Sequence, residues 1–281
     1  MNPVVHAART GWRRGLVELR QTYTNPQDLA SQLFWPLALL VVLFFMRDAE
    51  FAGVPLGTLV LPSGLGMAVV LNGMMGMSGL LSIEREDGTL LRAKAIPHGM
   101  VGYLVGKVVI ITGWMVFGAL ILLLPGLLLV DGLEVGTPGA WLTLTWVALL
   151  GTVATLPIGM VVGSLIPNPR SQGLVMLPMA GLIAVSGIFY PITAIPEWLQ
   201  GVGQVFPVYW LGLGFRSALL PDEAATLELT ESWRHLETVG VLAAWAAIGL
   251  LLAPIFLRRM ARRESGEAVV ARREKALRRI N

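Results

Sequence analysis

Six apolar runs constrain this chain more than any other feature. A helix needs roughly 20 consecutive apolar residues to cross about 30 Å of hydrocarbon. The first run is Leu29 to Met46, closed by Arg47 and Asp48, and the second extends from Gly57 to Ile83. The third is Val101 to Val130 and the fourth Ala140 to Ile166. The last two are Ser171 to Tyr190 and Leu236 to Leu257, the latter stopped by Arg258-Arg259. Only 14% of the 281 residues are charged, where a soluble domain carries roughly 25%. A water-facing surface cannot be covered from that supply. The sequence therefore predicts an all-α integral membrane protein with six transmembrane helices. Pro125, Pro157 and Pro178 fall inside runs, which is tolerable in a membrane where neighbouring helices satisfy the freed carbonyls.

Charge sets the orientation. With the N-terminus inside, one side holds all but three of the 21 basic residues, and the other holds only Arg47, Arg216 and Arg234. Such a bias predicts a cell-membrane protein with both termini in the cytoplasm. The isoelectric point near 9.6 then reflects a basic cytoplasmic edge, and no nucleic-acid partner is expected. Residues 1–28 read as an N-terminal helix lying at the membrane interface. Ala8, Trp12, Leu16, Leu19 and Tyr23 form an apolar stripe, with Arg9, Arg13 and Arg20 mostly off it. A cytoplasmic helix packed on a partner is the alternative. Residues 29–257 form the six-helix transmembrane domain and 258–281 a basic cytoplasmic tail.

Several chemistries are excluded. There is no cysteine, hence no disulfide or thiolate site, and His6, His98 and His235 are too dispersed for a metal motif. No G-x-x-x-x-G-K-[ST] loop exists to cradle phosphate. No Asp or Glu falls deep in a predicted span, which weakens both an ion-coupled carrier and an intramembrane hydrolase. Lys107 is the one deep cation, and it is expected to snorkel to the cytoplasmic interface. The acidic loop with Asp222, Glu223, Glu228, Glu231 and Glu237 reads as a solvated exterior loop.

Two connections are more than turns. Glu84-Arg85-Glu86-Asp87-Gly88-Thr89-Leu90-Leu91-Arg92, followed by Pro97, reads as a charged entry, a glycine hinge and a short helix. Ser186-Gly187-Ile188-Phe189-Tyr190-Pro191, then Ile195-Pro196-Glu197-Trp198 and Phe206-Pro207, starts a segment too short to cross a bilayer and suited to re-entrant helices. In this order, separated by three spans, the two resemble the signature segments of type-2 ABC export permeases, although Leu91 stands where that pattern usually has an acid.

The resemblance implies an ATP-driven exporter subunit rather than an enzyme. It would bind no cofactor itself, with ATP and Mg on two copies of a separate ATPase subunit. A second permease copy or a homologous permease would complete the route, with membrane lipid around it. Glu84, Arg85, Glu86, Gly88, Thr89 and Arg92 would belong to a coupling helix facing the ATPase. Phe189, Tyr190, Trp198, Phe206 and Tyr209 are candidates for an outer gate, with an ordinary aromatic belt as the alternative. The substrate path is marked only by Phe44 and Phe45 on the first span and by Asn72, Met74 and Met75 on the second. Met adapts to varied ligands, but a plain packing face fits the same residues. A hydrophobic drug, antibiotic or lipid-like cargo is expected. A polysaccharide or lipid-linked glycan, a secondary carrier, and a membrane enzyme remain the alternatives.

Overall fold

The computed structural model describes residues 2–47, 49–51, 54–166 and 173–263. Helix α1 (Pro3–Thr24) and helix α2 (Pro26–Met46) meet at Asn25, whose side chain accepts from the Gln27 amide and caps α2. A two-residue antiparallel ladder, Glu50–Phe51 with Val54–Pro55, turns the chain into α3 (Leu56–Val70). One turn of π-helix (Leu71–Gly76) joins α3 to α4 (Met77–Glu86). Then follow α5 (Thr89–Lys94), α6 (Gly99–Leu129), α7 (Pro138–Leu165) and α8 (Gly173–Val185). A 3-10 turn (Ile192–Ala194) leads to α9 (Glu197–Val205), α10 (Pro207–Leu219) and α11 (His235–Arg263).

Among the described residues, five helices are long and apolar enough to cross a membrane: Pro26–Met46, Leu56–Glu86, Gly99–Leu129, Pro138–Leu165 and His235–Met260. The predicted fifth span is different. Its apolar core is the 13-residue α8, which ends where Gly187 takes a left-handed φ of +61° and the chain reverses. Ser171 and the preceding Arg170 lie outside the described residues. Of the predicted basic tail, residues 258–263 continue α11 as helix, and 264–281 lie outside the described residues. Pro125 does not break α6, which runs unbroken to Leu129.

Burial separates the spans. Helix α3 is apolar on every side, and all residues from Gly57 to Val70 are buried. A helix hydrophobic all round belongs in the interior, and α3 is wrapped by α2, α6, α7 and α10. Its continuation presses on α7 where side chains are missing. A Cβ on Gly73 would fall 2.0 Å from Thr155 Oγ1, and one on Gly159 would fall 2.3 Å from the Gly73 carbonyl. Elsewhere the spans present apolar side chains outward, such as Phe45, Leu128, Leu142 and Leu251, as lipid-facing positions do. Two buried clusters result. The larger is built on α3, α7 and α10, and the smaller joins Met77, Leu81, Leu90, Tyr103 and Leu257 at the Glu84 end of the bundle.

Candidate functional site

Among the described residues, the Glu84 end carries a dense polar arrangement. Asp87 ends α4, and Gly88, at φ +80°, turns the chain into α5. The Thr89 amide donates to Asp87 Oδ1 at 2.7 Å, and Arg92 Nη2 donates to Thr89 Oγ1 at 2.9 Å. The predicted hinge and short helix are therefore present, the helix ending at Lys94 before the turn that contains Pro97. Leu90 and Ala93 are buried, while Glu86, Asp87, Arg92 and Lys94 are exposed. Arg85 Nη1 donates to the Ile166 carbonyl at the end of α7, at 3.0 Å.

Glu84 takes another direction. It is 8% exposed, accepts from the Tyr103 hydroxyl at 2.6 Å and pairs with Lys107. Lys107 is 2% exposed and also donates to Glu18 at 2.7 Å. The structure thus corrects the snorkelling expected of Lys107: two carboxylates hold it inside. Glu18 in turn accepts from Arg14 Nε at 2.6 Å. Desolvation alone would raise the Glu18 pKa, but the hydrogen bonds from Lys107 and Arg14 overcome it and hold the carboxyl below its ordinary range. The same hydrogen bond raises Arg14. This chain of charges ties α1, α4 and α6 together.

Small residues bring α1 close enough for those bonds. A Cβ on Gly11 would meet the Gly102 carbonyl oxygen at 2.0 Å, and one on Gly15 would meet the Gly106 oxygen at 2.7 Å. Further along, Tyr23 donates to the Gly113 carbonyl at 3.0 Å, and burial pushes its phenol up to about 12. The predicted stripe is split between two environments. Leu19 and Tyr23 face α6, whereas Trp12 and Leu16 are exposed. Sequence reasoning missed Gly11, Gly15 and Glu18, although Gly11-x-x-x-Gly15 and Gly102-x-x-x-Gly106 are the spacing by which helices approach closely. Between α1 and the α5–α6 connection lies a groove of about 520 Å³, lined by residues including His6, Thr10, Arg14, Ile96, His98 and Tyr103.

At the other end, the predicted gate residues are not one cluster. Phe189 and Tyr190 are half-buried beside a small void. Trp198 is 71% exposed on α9. Phe206 stacks on Trp245 of α11, with ring centroids 5.9 Å apart. Tyr209 is fully buried edge-on against Trp210 and belongs to the core. Arg234 lies over the Trp210 ring at 4.7 Å and donates to Gln204 at 2.7 Å, tying the start of α11 to α9 and α10. The acidic loop is not wholly solvated: Glu228 is buried and paired with Arg216.

The substrate-path candidates also separate. Phe44 and Phe45 are exposed on α2. Asn72 donates to the Ala68 carbonyl of its own helix at 2.9 Å, and Met75 is half-buried. Met74 is different. From the π turn it lines an apolar cleft of about 450 Å³ with Val162, Val175, Met179, Leu182 and Phe206. The cleft opens between the π turn, α7, α8 and α9.

With this geometry the comparison with known proteins is decisive. The family described as ABC-2 family transporter protein matches residues 24–255. This chain belongs to the ABC-2 transporter family. A curated relative of this ABC-2 permease is the linearmycin resistance permease protein LnrN of Bacillus subtilis (strain 168). The two are 27% identical over 191 residues, covering 66% of this chain and 46% of that protein. The ABC-2 permease thus spans about half the length of the curated relative it matches. Its family and its long apolar helices make it a multi-pass membrane protein.

Proposed function

We propose that this chain is the membrane subunit of an ATP-driven exporter, moving a hydrophobic or amphipathic compound out of the cytoplasm or the inner leaflet. Two ATPase subunits supply the energy, and a second permease copy or homologue completes the path. In this reading the chain crosses six times, α8 and the Gly187 turn serving as the fifth crossing, and both termini are cytoplasmic. The observation that carries it is α5. One side of this short helix is packed onto the spans through Leu90 and Ala93, and the other is exposed beside the groove under α1. A partner pushing on α5 moves α4 and α6 as rigid bodies, because packed cores shift between discrete arrangements rather than deform continuously. Glu86 and Arg92 present charge to that partner. Glu84 works inside the chain, fastening α1 to the moving helices through Lys107.

The cleft at Met74 supplies the cargo site. Its walls are almost wholly apolar, as sites for hydrophobic ligands are, and methionines let it accept varied shapes. The resistance role in the relative's name favours a drug or antibiotic cargo over a glycan. The outer segment, from the Gly187 turn through Phe206, is the exit gate.

Since the chain has no cysteine, single cysteines report contacts cleanly. Ile96→Cys, exposed in the groove, is expected to cross-link to a co-expressed ATPase. Leu128→Cys, at the far end of α6 and 89% exposed, is expected not to. Equal cross-linking at both positions, or none at Ile96, would refute docking at α5.

A further inference from the structure

The Arg216–Glu228 pair is more deeply buried than any motif in the sequence announces. Arg216 is 2% exposed and Glu228 5%. Arg216 Nε donates to Glu228 Oε1 at 2.6 Å, and Nη1 reaches the carbonyls of Ile188 at 3.1 Å and Gly187 at 3.5 Å. Those carbonyls belong to the reversal that ends α8. Carbonyls in such an irregular turn have no helical partner, and in apolar surroundings each needs a donor. A guanidinium can serve a carboxylate with one edge and carbonyls with another. Yet a side-chain amide, with two N–H donors, would satisfy both carbonyls without burying a charge, and a buried ion pair rarely adds net stability over an apolar replacement. Capping alone does not account for the choice.

A second observation concerns what the pair leaves open. Arg216 Nη2 and Glu228 Oε2 are buried with no hydrogen-bond partner among the described residues. Both residues line a void of about 10 Å³ with Leu59, Ser63, Phe189 and Tyr190, room for one water at most. A fixed structural cap would use these atoms. The pair keeps donor and acceptor capacity in reserve, so its groups can take up each other or a water as the turn leaves.

We propose that Arg216 is the positioning residue of the exit gate. Charged against Glu228, it clamps the Gly187–Ile188 turn onto α10 and keeps Phe189 and Tyr190 in the closed arrangement. This rests on reading the segment as the outer gate. The clamp orders the gate and touches no cargo.

Labelling with a membrane-impermeant maleimide in intact cells tests it. Thr226→Cys, on the exposed loop, first checks orientation; if it does not label, the gate reading itself fails. Given that it labels, Ser186→Cys, fully buried in the turn, is expected to be protected in the otherwise native chain. Adding Glu228→Gln should accelerate its labelling at least about tenfold, as loss of a buried charge partner opens the local structure. Thr238→Cys, buried at 1% exposure on α11, should stay protected. Unchanged protection at Ser186 would overturn the clamp. A joint rise at Ser186 and Thr238 would assign the pair to general stability and overturn it too. Exchanging the charges, Arg216→Glu with Glu228→Arg, should not restore protection, since a carboxylate cannot donate to carbonyls. Restoration would reduce the clamp to a plain ion pair.

Discussion

Lys107 shows how much a single residue can decide in this protein. Its ammonium sits between Glu18 and Glu84, and through them it joins three helices. Removing one partner from a buried charge cluster costs about 3–5 kcal/mol, because the others are left uncompensated. Lys107→Met is therefore expected to lower the thermal unfolding temperature in detergent more than Arg14→Met, whose side chain is half-exposed; equal effects would contradict the cluster. Acid probes the same site. The folded Glu18 pKa lies below the ordinary carboxylate value of 4.5. Its contribution is thus complete above that value and is lost as pH falls through the depressed folded pKa. Hydrogen exchange across α1, corrected for intrinsic rates, should accelerate as pH falls below about 4.5 and Glu18 is protonated. Acceleration already near pH 6 would point to another group. None of this was readable from Lys107 alone, since Glu18 is 89 positions away. A deep lysine with no nearby acid reads as a snorkelling one.

At the scale of elements, the close contact of α1 with α6 depends on absent side chains. Gly11→Val would place a branched carbon against the Gly102 backbone, which cannot move aside as a side chain tip can. Released α1 should then lose exchange protection along its length while α3, buried within the bundle, keeps its own. Retained protection in α1 would show that glycine is not what permits the contact. The helices themselves were legible because apolar runs bounded by charge report their own ends: Thr89–Lys94 follows Gly88 as expected, and α9 begins after Pro196. The π turn at Leu71–Gly76 was not, because its Asn-Gly-Met-Met-Gly sequence fits an α-helix equally well and the extra residue answers to Thr155 and Gly159 on another span. The gate aromatics were legible as a segment and not as a site. Phe206 and Tyr209 stand three positions apart, yet one stacks on α11 and the other is sealed in the core. The partner surface, rather than the residue type, makes that difference.

For the whole molecule, hydropathy and charge carried the reading furthest, since the bilayer dictates both. They gave a helical membrane protein and its long spans, and left the short α8 to be discovered. They say nothing of energy supply. The central claim is that a separate ATPase drives this permease through α5, and its most direct measurement is ATP hydrolysis by the purified complex in lipid. The ATPase with this chain should hydrolyse ATP several-fold faster than the ATPase alone. The chain alone should show no hydrolysis, and reversing the exposed charges of Glu86 and Arg92 should remove the stimulation while the protein stays folded. Hydrolysis by the isolated chain, or full stimulation by the charge-reversed variant, would contradict the account.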